Sequence, residues 1–300
     1  MLIGAHVSPA GGLARAVDRG QERDCRAIQI FNQSPRQWRP TAYGEDDFAA
    51  FREAKAASRI DAVLIHAVYL VNCASEDRDI RSKSLASLTH SLHVGRAIGA
   101  AGVVLHPGSA KTGDVRRAIA IAGETIARAL DDSEGCELHL ENTAGAGGTL
   151  GRSLPELAAL LGAAGAHERL GVCLDSCHLL ASGYDIRTPP GMRALLVEAK
   201  RELGSGRIRS LHLNDSQTPL GSNRDRHANI GTGELGEKGC AAFLSAPGIQ
   251  RLPCVLETPG ENRQGPSAAE VEFARELRDR GLATRRRPTR RSKPNARACR

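Results

Sequence analysis

The sequence predicts an α/β protein, a (β/α)8 TIM barrel with a metal site at the carboxyl-terminal face of its strands. Three observations carry this. Eight short apolar runs alternate with stretches of helical period, the runs are apolar on both faces, and seven of them end in or beside a side chain that can bind metal. Short runs buried on both faces and separated by helices imply parallel strands. Eight such units in fewer than 285 residues match a closed barrel.

In chain order, LIGAH (2–6) precedes the helical pattern LARAVDRG after Gly12, and AIQIF (27–31) precedes DDFAAFREAKAA from Asp46. AVLIH (62–66) leads to LASLTHSLHVGRAIGA, ending at Ala100, and GVVLH (102–106) to VRRAIAIAGETIARAL from Val115. ELHLE (137–141) is followed by LPELAALLGAAG from Leu154. GVCLD (171–175), RSLHL (209–213) and PCVLE (253–257) complete the set, the last leading to AAEVEFARELRDRG from Ala268. Each run is bounded by turn residues, and each helical stretch repeats its apolar positions three to four apart.

The runs terminate in His6, His66, His106, Glu141, Asp175, His212 and Glu257. A lone strand-end histidine or glutamate is ordinarily a satisfied polar residue at a core boundary. Seven together are another matter, because ring closure brings the carboxyl ends of all the strands to one face. A doubly wound open sheet would spread them along a line. Carboxylates inside runs such as CVLE and CLD would cost several kcal/mol if left unpaired, and a multivalent cation removes that penalty.

Two further stretches add donors. LDSCH sets His178 three residues after Asp175, where the pair can serve neighbouring ions. In SLHLNDSQTPLGSNRDRHANIGTGELG (210–236), Asp225 and His227 sit two apart, so an extended backbone points both the same way. The donors are then His66, His106, Glu141, Asp175, His178, His212, Asp225, His227 and Glu257. Nine are too many for one zinc, and with a bridging carboxylate and open positions three ions fit. His6 reads as a wall of the pocket in preference to a tenth donor.

At 41% hydrophobic and 25% charged, the 300 residues can bury one large core. The formal charge of +7 suggests an anionic partner, yet eight of the 41 basic residues lie in 285–300, where there is no acid. Without them the charge is −1, so attraction for nucleic acid has to come from local patches, bound metal or that tail. Domain organisation follows: one domain over 1–283 and a basic, proline-containing, disordered tail over 284–300. Eight cysteines without a CxxC pair, several inside apolar runs, fit buried reduced thiols. No apolar run approaches membrane-spanning length and the amino terminus has no signal-peptide pattern, so a cytoplasmic protein is expected.

These segments resemble the endonuclease IV family of apurinic/apyrimidinic endonucleases. The resemblance runs through IGAHVSPAGGL, QSPRQW, IHAVYLVN, VLHPGS, LENTAGAG, VCLDSCHLLASGYD, LHLNDS, GSNRDRHANIGTGELG and the LET after Val255, in one order over about residues 1–260. It implies three zinc ions, one exchangeable with Mn2+. His66, His106 and Glu141 would hold one; Glu141, Asp175, His212 and Glu257 a second; His178, Asp225 and His227 a third. Glu141 would bridge the first two, with Glu141 and Glu257 catalytic.

The same resemblance implies a monomer that hydrolyses the phosphodiester 5′ to an abasic site in duplex DNA, leaving a 3′-hydroxyl and a 5′-deoxyribose-phosphate end. Arg36, Tyr69 and Leu70, on the loops after the second and third strands, match residues inserted into DNA. The sequence departs from the family pattern at Ala146, and at Val68 and Cys73 in an expected DNA-facing loop. A divalent-metal sugar isomerase or epimerase on a similar barrel is the main rival reading; it has no need of a third imidazole-rich set or of Arg36, Tyr69 and Leu70 on the rim. A non-enzymatic DNA-binding module, suggested by the basic tail, would not require nine convergent donors.

Overall fold

The structure, a computed structural model, describes residues 1–111 and 113–286. Its strands are β1 (Leu2–His6), β2 (Ala27–Ile30), β3 (Ala62–His66), β4 (Gly102–Leu105), β5 (Leu138–Glu141), β6 (Leu170–Asp175), β7 (Ile208–Leu213), the two-residue β8 (Asp215–Ser216) and β9 (His227–Ala228), and β10 (Pro253–Leu256). Eight of them close a parallel barrel in the order β1, β10, β7, β6, β5, β4, β3, β2. The pair β8 and β9 forms a separate antiparallel ribbon above it. All eight strands expected from the sequence are present, within two residues of the expected bounds.

Helices α1 (Ala14–Glu22), α2 (Glu45–Ala56), α3 (Arg78–Ile98), α4 (Val115–Asp131), α5 (Leu154–Ala163) and α9 (Ala268–Arg286) follow the periodic stretches singled out above. Three helices are additional: α6 (Ser176–Ala181), α7 (Pro189–Leu203) and α8 (Gly236–Leu244). Local chemistry sets their starts. Asp77, Asp114, Ser153 and Thr188 cap α3, α4, α5 and α7 by accepting first-turn N–H groups, and Pro189 opens α7 where no N–H is needed. Helix α9 runs back down the barrel. Arg278 reaches Gln250, which accepts from the amino terminus, and Arg285 reaches Ser245. The chain therefore arrives at residue 286 at the pole opposite the strands' carboxyl ends. Of the tail expected over 284–300, residues 287–300 lie outside the described residues.

The core has two parts. A large apolar layer fills the space between strands and helices, and a small plug of Ala27, Ala62, Leu64, Val104, Cys173 and Val255 fills the barrel. Strand side chains alternate, so the residue two beyond each plug position also points inward, one layer higher. Leu64 is thus followed by His66, Val104 by His106, Cys173 by Asp175 and Val255 by Glu257. Below Glu141 and His212 the same layer holds His139 and Ser210, whose ring nitrogen Nδ1 and hydroxyl are 2.9 Å apart. The pleat and the closure together place the strand-terminal donors around one mouth.

One buried carboxylate organises the long loop after β7. Both oxygens of Asp215, fully buried, accept backbone N–H groups, from Ser216 (2.7 Å), Leu235 (2.8 Å), Gly233 (2.9 Å) and Gly236 (3.1 Å). A Cβ at Gly233 would lie 2.3 Å from the Ser216 carbonyl oxygen, so the backbones pass there without a side chain between them. Asp215→Ala should therefore cost about 3 kcal/mol or more of folding stability by leaving two buried and two part-buried donors unmatched. Urea denaturation measures it, and a loss below about 1 kcal/mol would contradict the role.

Candidate metal centre

The nine donors expected from the sequence are brought together at the mouth. His66, His106 and Glu141 form one group; Glu141, Asp175, His212 and Glu257 a second; His178, Asp225 and His227 a third. Within each group the donor atoms lie within 4.8 Å of one another. Glu141 belongs to two groups: its Oε2 is 2.9 Å from His106 Nε2 and 3.3 Å from His66 Nε2, and its Oε1 is 2.9 Å from His212 Nδ1. His6 belongs to none of them; its Nδ1 lies 3.9 Å from Glu257 and contacts the Gln29 amide at 3.2 Å, as a wall residue would.

Hydrogen bonds on the far side of the rings fix which nitrogen faces inward for His66, His178 and His212. His66 Nδ1 donates to the Ala67 carbonyl (2.6 Å), His178 Nδ1 to the Asn142 carbonyl (2.9 Å), and His212 Nε2 to Gln29 Oε1 (2.8 Å). His227 Nδ1 faces the Glu257 carbonyl at 3.4 Å. The remaining nitrogens then point lone pairs at carboxylates: His178 Nε2 and His227 Nε2 are each 3.2 Å from Asp225, and both are buried without a hydrogen-bond partner. A lone pair held against a carboxylate is repulsive unless a proton or a cation lies between them. Four of the five rings, His66, His178, His212 and His227, are thus backed by a carbonyl or amide oxygen, as metal-bound imidazoles are. The donor set of nitrogens and carboxylate oxygens fits a divalent ion such as zinc.

Proton affinities follow the same geometry. Burial opposes charge on His212, but Cys173, Glu257 and Glu141 raise it well above the ordinary histidine value. His178 is likewise raised against burial by Asp175, Asp225 and Glu141. Against their own burial, Glu141 is held well below the usual carboxylate range by His212 and His106, and Glu257 falls to about 2 through His212 and His66. His6 is lowered to about 4, chiefly by burial.

Several supporting residues were not among the sequence-derived set. Gln29 donates to Glu257 (2.5 Å) while accepting from His212. Asn214 donates to Asp175 (2.6 Å) and accepts the Glu257 N–H, and Asn142 accepts the Asp175 N–H (2.7 Å). Gln29 carried a readable signal, a polar residue at an inward position two beyond Ala27. Cys177 also approaches Asp175 and His227; burial pushes its thiol up to about 12, which keeps it neutral. All seven described cysteines are buried and none is paired.

On the rim, Arg36 is exposed and Tyr69 is 68% exposed, while Leu70 is half-buried against the core. Ala146 is exposed in a short 3-10 turn after β5. The departures Val68 and Cys73 are 2% and 0% exposed, their side chains turned inward onto the apolar layer while Tyr69 of the same loop projects outward. No helix is long and apolar enough, among the described residues, to cross a membrane.

Comparison with known proteins places this site in context. Residues 17–277 match the family model described as xylose isomerase-like TIM barrel. The chain is 40% identical over 283 residues to "Probable endonuclease 4" of Streptomyces coelicolor, covering 92% of this chain and 95% of that protein. The crystal structure of endonuclease IV from Thermus thermophilus superposes with a TM-score of 0.80 at 35% identity, over 95% of this chain and all of that one. A D-tagatose 3-epimerase-like protein superposes at 0.68 with 16% identity, over 95% of this chain and 98% of its own, a likeness of fold alone.

Metal-free protein should lose stability as pH rises from 7 to 8. With folded-state values of His178 and His212 raised, their contribution is fully present below the unfolded value near 6.5 and is lost as pH climbs toward and through the folded values. Groups lowered by folding, such as His6, are already largely neutral in both states over that window. Thermal melts after chelation and dialysis measure this, and a midpoint that rises with pH would contradict it.

Proposed function

Because the chain belongs to the endonuclease IV family, and is on that footing a DNA-cleaving phosphodiesterase, we propose that it hydrolyses the phosphodiester 5′ to an abasic site in duplex DNA, using three zinc ions. The products are a 3′-hydroxyl and a 5′-deoxyribose-phosphate end. The observation that carries this reading is the sharing of Glu141 between two of three donor groups at one mouth. His66, His106 and Glu141 would hold one ion, Glu141, Asp175, His212 and Glu257 the next, and His178, Asp225 and His227 the third. Zinc, when bound, supplies positive charge to the phosphodiester and acidifies water toward a pKa of about 7.

The chain's own contribution is positioning. Glu141 is fully buried, with histidines against both oxygens, so it is held as a bridge. Gln29 fixes Glu257 and His212 together, donating to the one and accepting from the other, while His212 and His66 hold the Glu257 carboxylate in its ionised form. Asp225 is the most exposed carboxylate of the set, its side chain 46% accessible, and lies on the side from which substrate arrives. Extrusion of an abasic sugar costs least because no base has to be unstacked. Tyr69, projecting beside His66 with ring centroids 5.8 Å apart, is set to occupy the resulting gap with Leu70 behind it, while Arg36 engages the backbone.

Glu257→Gln should lower incision of a duplex with one abasic site by about a hundredfold or more with the fold intact; near-parent turnover in a metal-replete sample would contradict it. His227→Ala should lower zinc per chain by about one, read by elemental analysis, and parent stoichiometry would remove His227 from the ligand set. Tyr69→Ala with Leu70→Ala should weaken binding of abasic duplex by about tenfold at parent zinc content, and unchanged affinity would reject the wedge.

A further inference from the structure

Helix α9 opens with Ser267, Ala268, Ala269 and Glu270, the pattern of a capping box, in which the serine accepts the N–H of the glutamate and the carboxylate returns to the N–H of the serine. The first half is made, with Ser267 Oγ accepting the Glu270 N–H at 3.2 Å. The carboxylate is engaged elsewhere. Its Oε1 accepts the Ile230 N–H (2.9 Å) and its Oε2 the Thr258 hydroxyl (2.7 Å). Ile230 stands three residues after His227, just beyond β9, and Thr258 follows Glu257 at the end of β10. The same two loops meet again where Asn229 Oδ1 accepts the Gly260 N–H at 2.9 Å. By contrast, the direct contact between His227 Nδ1 and the Glu257 carbonyl is 3.4 Å long, a weak restraint at that length. Placement of the ring relative to Glu257 is therefore left to the tethers of the two loops. Helix α9 is a firm anchor for them: Val271, Ala274 and Leu277 are buried, and Gly281 lets it close onto α8, where a Cβ would lie 2.6 Å from the Ala241 carbonyl oxygen.

We infer that Glu270 is a positioning residue for the donor group of His178, Asp225 and His227: by tying both loops to α9 it fixes His227 against Glu257, and with it the spacing between that group and the one containing Glu257. Glu270 is not itself among the donor groups. The group it serves has the greatest need of such support. His66, Glu141, Asp175 and His212 sit on barrel strands and Glu257 directly after one, whereas Asp225 and His227 sit on a loop whose only regular structure near them is the two-residue β9. A carboxylate that receives one donor from each loop holds both, since neither can shift without breaking a bond to it. Residues that hold a metal-binding side chain in place from outside ordinarily change metal affinity by about ten- to a hundredfold. The inference rests on the reading of the mouth as a three-ion centre.

The test is zinc retention by the full chain, dialysed against a graded series of a zinc-buffering chelator and read by elemental analysis. Glu270→Ala should release one zinc per chain at a free-zinc concentration about tenfold or more above that at which the parent releases it, with the remaining zinc held as in the parent. Incision of a duplex with one abasic site should fall at limiting zinc and recover at saturating zinc. Glu270→Gln keeps an acceptor for Ile230 and can donate to a turned Thr258 hydroxyl, so it should restore most of the retention. Thr258→Val removes one arm at nearly constant shape and should shift release about threefold, the worth of one modest hydrogen bond. Parent retention in Glu270→Ala would overturn the inference, and where that variant does not fold, parent retention in Thr258→Val decides in the same way. So would an equal shift in Ser267→Ala, which weakens the start of α9 and leaves the carboxylate in place. The parent is scored separately: three zinc ions with unshifted variants remove the positioning role alone, and a parent that never holds three removes the reading beneath it.

Discussion

Imidazole lone pairs aimed at carboxylates are the constraint on which the rest of this molecule depends. Four carboxylates and five histidines crowd one mouth, and for at least three of the rings the hydrogen bond behind the ring fixes the nitrogen facing the acids. In a buried setting such an arrangement is costly until positive charge is placed within it. Gln29, Asn142 and Asn214 make sense in this light. None is itself among the donor groups, and each satisfies the atoms that the donors cannot share.

A barrel supplies the strand-borne donors for a simple reason. The pleat sends every second side chain inward, and closure turns eight strand ends into a ring, so a dry plug of Leu64, Val104, Cys173 and Val255 forms the floor under a polar layer one step higher. Asp225 and His227 arrive differently, on the loop that Asp215 pins through four backbone N–H groups and that the ribbon of β8 and β9 aligns. The strand-borne part of the site is therefore as rigid as the barrel. The loop-borne part is more open, the Asp225 side chain being 46% accessible.

The sequence made the strands legible because burial on both faces leaves compact apolar runs, and it made their terminal donors legible because polar ends to such runs are conspicuous. Helix α6 was hidden inside the LDSCH signal, since its first residues follow Asp175, a candidate donor that also serves as the N-cap. Helix α8 is short, and GEKGCAAFL carries two glycines that weaken a helical pattern. The dependence of Glu257 on Gln29 joins residues 228 apart in the chain and appears only when β1, β2 and β10 become neighbours. That Val68 and Cys73 turn inward while Tyr69 turns outward was not legible, because position in a rim loop does not say which way a side chain points.

Fold likeness does not select the chemistry here, since barrels with names of sugar epimerases superpose at 12–16% identity. Charge at the mouth does more. The body of the chain is nearly neutral by formal count, and the strongly basic tail begins at the opposite pole. With neutral histidines the four carboxylates give the mouth a formal charge of about −4, which repels a phosphate backbone, whereas the three divalent ions of the proposed reading would bring it to about +2. Metal loading and affinity for DNA would then be thermodynamically linked, each favouring the other. Ions held there would stabilise the donors from within and also make the mouth attractive to a polyanion, so a body of nearly neutral formal charge needs no net positive charge of its own to receive a DNA backbone.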